Sequence, residues 1–197
     1  MGVDVMARDS MSGSAGRARY GRVAIAFHWT IAALIIVNIL IGIFHEDLAK
    51  PLAGLLIGWH KAIGIVVLAL SIGRLAWRLA HRPPPLPPLP RWQVGVAHAL
   101  HWGFYFLIIA MPVSGWWMSS AGMKRWPIDF FGLFEVPYLP VTRGPEGAGA
   151  AFHQFHVVAG WTMGALVLIH VGAALRHHYI DRNNVLARML PWPPARR

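Results

Sequence analysis

Four histidines, His28, His60, His156 and His170, lie one or two turns inside the ends of long apolar stretches of this 197-residue chain. Hydrocarbon offers an ionisable ring no water, so a histidine at that depth marks a functional site by default. Neutral imidazole is also a common ligand of transition metals. His156 and His170 are 14 residues apart, which on one helix is about 21 Å. At about 100° per residue their rings stand roughly 40° apart around the axis, so they share a face. His153 stands about 100° from His170 and is the poorer inward candidate. His28, near the start of the first stretch, matches the depth of His170 near the end of the fourth. His60, near the start of the second, matches His156. Two cross-bundle pairs follow, His28 with His170 and His60 with His156, each suited to hold an iron from both faces of a porphyrin. Gly64 and Gly160, one turn beyond His60 and His156, are expected to leave space for the ring.

A non-haem metal site competes with this reading. It needs three or four ligands at one depth, often with a carboxylate. The apolar stretches contain no Asp or Glu, and the two pairs lie in separate layers. Zinc or iron transport is therefore disfavoured. A histidine-bearing ion transporter with no haem stays open as the reading for a colourless protein. His45, His81, His98, His153, His177 and His178 lie near the ends of the stretches. For these the simplest reading is interfacial or hydrogen-bonded histidine.

The elements that must position these rings are transmembrane helices. Val23–Phe44, Trp102–Met123 and Phe152–Leu175 carry no Lys, Arg, Asp or Glu, and Leu52–Gly73 has one Lys near its start. Each has about the 20 residues that cross a hydrocarbon core as a helix. The strands of a β-barrel would alternate over short segments, and none are visible. With 56% hydrophobic and 13% charged residues, the chain reads as an all-α integral membrane four-helix bundle. The first stretch is too long and lacks the cleavage pattern of a signal peptide, so it reads as a retained helix.

The formal charge of +10 follows the same topology. Thirteen Lys and Arg flank the N-terminus, the second connection and the C-terminus, against five on the other side. The positive-inside rule puts both termini in the cytoplasm. The basic excess is thus an orientation signal, and nucleic acid is not an expected partner. The absence of cysteine excludes disulfides, iron–sulfur clusters and thioether-linked haem.

Residues 1–19 read as a disordered leader, residues 20–180 as the four-helix transmembrane bundle, and 181–197 as a cytoplasmic tail that could lie on the surface. Arg82–Arg91 holds a proline run expected as an extended polyproline strut. The longest connection, from about Lys124 to Ala151, is rich in aromatic residues and suggests a lid at the membrane interface.

In order and spacing, several short motifs resemble the bacterial cytochrome b561 family of diheme membrane cytochromes. They are Phe27-His28-Trp29, His60-Lys-Ala-Ile-Gly64, Ala97-His98-Ala-Leu-His101, Met111-Pro-Val-Ser-Gly115 and Phe155-His156. Leu168-Ile-His170, His177-His178-Tyr179 and Asn184-Val-Leu-Ala-Arg188-Met-Leu-Pro191 complete the set. The resemblance runs from about Tyr20 to Pro191. It implies two b-type haems, with His28 and His170 as axial ligands on the cytoplasmic side and His60 and His156 on the periplasmic side. The extra His153 beside His156 departs from the pattern.

The resemblance further implies a superoxide oxidase, in which an electron taken from superoxide at the outer surface passes through both haems to ubiquinone. Superoxide is an anion, and Lys61, Lys124, Arg125 and Arg143 could supply an attracting field; as ordinary interfacial anchors they would need no such role. The quinone is expected at the cytoplasmic level, where His98, His101, Arg74, His177 and His178 gather at the ends of spans, with His101 or His178 contacting a carbonyl. The alternative is an electron-carrier subunit that links a periplasmic redox partner to the quinone pool.

Overall fold

A computed structural model describes residues 19–85, 88–122, 127–142, 144 and 148–192. Of the expected leader only Arg19 is among them, and Lys124, Arg125 and Arg143 lie outside the described residues. Four long helices form the molecule: α1 (Arg22–Phe44), α2 (Lys50–Ala80), α3 (Arg91–Ala121) and α4 (Ala148–Tyr179). A single turn of 3-10 helix, His45–Asp47, joins α1 to α2. All four helices are long and apolar enough to cross a membrane.

The last three helices run well beyond the apolar stretches expected at 52–73, 102–123 and 152–175. Proline, not charge, sets the facing limits of α2 and α3. Pro51 occupies the first turn of α2, where its missing N–H costs nothing. Past Ala80 the run Pro83–Pro85 cannot donate the backbone hydrogen bonds that would prolong the helix. Helix α3 then begins directly after Pro90. At about 46 Å for 31 residues, α2 overshoots a hydrocarbon core of about 30 Å. The overshoot carries Arg74 and Arg78 into the headgroup region.

Helices adjacent in sequence pack against each other, giving an up-down-up-down bundle. Both described termini and the proline strut lie at one end, termed the basic end; the His45–Asp47 turn and the long α3–α4 connection lie at the other, the loop end. The core cluster of Leu107 and Ile108 on α3 with Ala159 and Met163 on α4 sits between the two histidine layers. Leu40, Leu55, Phe106 and Leu168 are at least half exposed on the outside. Such helices, apolar all round, are what a lipid environment requires.

The long connection contains a feature that composition alone does not reveal. Strands β1 (Ile128–Asp129) and β2 (Glu135–Val136) pair antiparallel, with Ile128 and Val136 buried. At the tip Phe131 (φ 54°) and Gly132 (φ 76°) adopt left-handed backbone, which is uncommon for an aromatic residue. The Asp129 carboxylate secures it by accepting the Gly132 N–H at 2.9 Å. The hairpin is tied to the end of α3, where Ser120 Oγ accepts the Leu139 N–H at 3.0 Å and Trp116 Nε1 donates to the Pro137 carbonyl at 2.9 Å. Its first strand rests on α2.

At the basic end the tail is clamped down. Arg19 donates to the carbonyls of Leu190 (2.5 Å) and Trp192 (3.2 Å). Trp29 Nε1 donates to the Met189 carbonyl at 2.7 Å. Arg188, only 4% exposed, donates to the Pro85 carbonyl at 2.7 Å and so fixes the strut.

Candidate haem-binding centre

The loop-end pair is built from all four helices. His60 on α2 and His156 on α4 face each other with ring centres 6.0 Å apart. Each ring is held by its Nδ1. That of His60 donates to the backbone carbonyl of Asn38 on α1 at 3.1 Å, while the Asn38 amide returns a bond to the His60 carbonyl at 3.1 Å. That of His156 lies 2.9 Å from Ser114 Oγ, which itself donates to the Met111 carbonyl at 2.7 Å. The serine proton is therefore committed, and the hydroxyl accepts from the ring. Both imidazoles carry hydrogen on Nδ1 and present a bare Nε2, the tautomer that binds a metal.

Local sequence explains how α3 achieves this. Pro112 removes a backbone N–H inside the helix, which loosens the turn where Ser114 bonds back to Met111. Gly115 makes room: a Cβ there would come within 3.3 Å of His156 Cε1. Gly42 does the same for His60, at 3.6 Å. Gly64 and Gly160, expected to leave space for a porphyrin, have few neighbours of their own. A Cβ at Gly64 would meet only Asn38 Nδ2 at 4.0 Å, and one at Gly160 only Met111 Cε at 3.6 Å.

At the basic end His28 on α1 faces His170 on α4 with ring centres 6.1 Å apart. Each residue of Phe27-His28-Trp29 has its own anchor. Phe27 packs where a Cβ on Gly73 would approach it to 3.3 Å, and Trp29 holds the tail through Met189. His170 is also edged by Phe104 (5.4 Å) and His101 (5.8 Å). His101 donates through Nδ1 to the Ala97 carbonyl at 2.6 Å, leaving its Nε2 bare.

Both pairs fit a haem. Two imidazoles ligating one metal from opposite sides, with metal–nitrogen distances of about 2.0–2.1 Å, place their ring centres roughly 6 Å apart. Buried Asn38 Oδ1 and Trp117 Nε1 have no hydrogen-bond partner and can meet polar groups of a cofactor. Among the described residues no group of three or more His, Asp or Glu side chains converges for a metal ion. The donor set is thus one of pairs.

The sequence profile of the prokaryotic cytochrome b561 family matches residues 19–192. The chain belongs to that family. Cytochrome b561 homolog 2 of Escherichia coli (strain K12) is 35% identical over 181 residues, 87% of this chain and 91% of that protein. Probable superoxide oxidase CybB of Yersinia pestis is 28% identical over 177 residues, 88% and 96% of the two chains. Cytochrome b562 of Cereibacter sphaeroides is 26% identical over 178 residues, 87% and 94%. As a cytochrome b561 the protein is a multi-pass component of the bacterial inner membrane that carries b-type haem and serves electron transport.

The remaining candidate residues are dispersed. His153 is exposed, whereas His156 is half-buried against His60. His98 and His178 are exposed. His177 is engaged by the Asp181 carboxylate at 3.1 Å and by Asn183 Nδ2 at 2.8 Å. Arg74 lies over the Tyr105 ring at 5.6 Å, one turn along α3 from His101. Lys61 is half-buried next to His60. Of the expected quinone group, then, His101 is the histidine brought beside the basic-end pair. Asn38 and Ser114, which hold the rings, were not singled out by spacing. Their signal was a polar side chain inside an apolar helix.

Proposed function

We propose that this cytochrome b561 is a diheme superoxide:ubiquinone oxidoreductase, with His60 and His156 holding one haem at the loop end and His28 and His170 holding the other at the basic end. The observation that carries the reading is the pair of facing imidazoles repeated at both levels, 6.0 and 6.1 Å between ring centres. Haem supplies one-electron redox chemistry at each level when bound. The charge distribution supports a basic end in the cytoplasm and a loop end in the periplasm.

In this reading two superoxide anions each give up one electron at the loop end and leave as dioxygen. One quinone gains both electrons and two protons at the basic end and leaves as quinol. Lys61 beside His60 adds positive charge where the anion arrives. Lys124, Arg125 and Arg143, all outside the described residues, would add to it. His101 serves the protons: in its charged form Nε2–H donates to a quinone carbonyl, and the ring is recharged from the cytoplasm. The likeness to a probable superoxide oxidase supports the donor, at 28% identity.

The second reading, an electron-carrier subunit fed by a periplasmic protein, is favoured by the hairpin tip. Phe131, Leu133 and Phe134 are 46%, 76% and 56% exposed there and would suit a docking partner. Rapid mixing of the purified holoprotein with superoxide separates the two. Fast haem reduction that slows with ionic strength supports the oxidoreductase. Slow reduction that needs an added donor protein supports the subunit.

A further inference from the structure

A cavity of about 250 Å³ opens at the basic end between the start of α1, α2, Tyr105 of α3, Pro83 and Pro84, and Met189 of the tail. Arg74, Arg78 and Arg82 line it together, with Tyr105 as one wall and His81 stacked on Trp77 (3.7 Å between ring centres) as another. Arg74 and Arg78, four residues apart, share one face of α2, and Arg82 reaches the same cavity from beyond the helix end. Their like charges repel one another. The Tyr105 ring relieves part of this, with the Arg74 and Arg78 guanidiniums 5.6 and 5.5 Å from its centre. No carboxylate lines the cavity among the described residues. An anionic ligand would balance the three guanidiniums.

We propose that this cavity binds the phosphate of an anionic phospholipid headgroup. Helix α2 overshoots the hydrocarbon core here, which puts the guanidiniums at headgroup level. Planar guanidinium forks match phosphate oxygens, and basic pockets between membrane helices are established headgroup sites. The strut that walls the cavity is held by Arg188 through Pro85, so the site is built before the lipid arrives.

The test is native mass spectrometry of the full-length holoprotein released from vesicles of phosphatidylcholine with phosphatidylglycerol. Wild type retains phosphatidylglycerol. Arg78→Gln/Arg82→Gln binds it about 30-fold more weakly, at roughly fivefold per basic residue near a charged surface, with the haem spectrum unchanged. If the double variant does not fold, Arg82→Gln alone, beyond the end of α2, shows about a fivefold loss. Equal retention by variant and wild type overturns the proposal. So does displacement of the lipid by excess inorganic phosphate, which would make the ligand free phosphate. Loss of haem with lipid retained would assign the arginines to the cofactor's carboxylates and also overturn it.

Discussion

Ser114 on α3 accepts the ring N–H of His156 on α4 at 2.9 Å while giving its own proton to the Met111 carbonyl. One buried hydroxyl thereby sets both the tautomer and the direction of an imidazole on the neighbouring helix. Outer partners of metal-binding histidines typically account for 10–100-fold in metal affinity. Ser114→Ala should weaken haem retention at the loop end by about that factor and leave the basic-end haem in place. Haem titration of the apoprotein followed by absorbance measures it; unchanged affinity would mean that the serine does not orient the ring.

Gly115 supplies the room that the same ring needs. Its imaginary Cβ is already 3.3 Å from His156 Cε1, tighter than ordinary contact, and Val adds two methyl groups there. Gly115→Val should abolish the loop-end haem, whereas Gly54→Ala, at a position with nothing within 4 Å, should change neither haem. A full haem complement in Gly115→Val would show that the α3–α4 spacing is not limiting.

Much of this was legible in the sequence. Four long apolar stretches revealed four helices because lipid tolerates few alternatives. Helical phase chose His156 over His153, and depth paired His28 with His170, because both quantities follow from residue number alone. What stayed hidden depends on register between helices. Which glycine faces which ring, and that His101 arrives beside His170, are set by how α3 lies against α4. The hairpin is stabilised by Asp129 on a backbone N–H and by Ser120 on the Leu139 N–H. The tail clamp similarly rests on side chains that seek main-chain carbonyls. Such contacts leave little trace in composition.

Arg188 joins tail and strut through one buried guanidinium. Hydrogen bonds to charged groups contribute about 1.5–3 kcal/mol. Arg188→Met should lower stability by about that amount and make the tail beyond Asn183 more sensitive to protease. Thermal unfolding in detergent and limited proteolysis check both effects; wild-type behaviour in each would show the clamp to be incidental.

Lys61 adjoins the loop-end pair on α2. If its charge draws superoxide inward, Lys61→Gln should slow haem reduction by superoxide several-fold at low salt and flatten the dependence on ionic strength. Stopped-flow traces at two salt concentrations decide it. A rate and salt slope equal to wild type would remove Lys61 from anion capture.

The central claim is that each facing pair of imidazoles holds its own haem. Haem per polypeptide, measured as the pyridine haemochrome against amino-acid analysis, tests it most directly in wild type, His60→Ala and His170→Ala. The account predicts two haems in wild type and one in each variant, with different spectra for the haem that remains. One haem in wild type, or the same surviving haem in both variants, would contradict it.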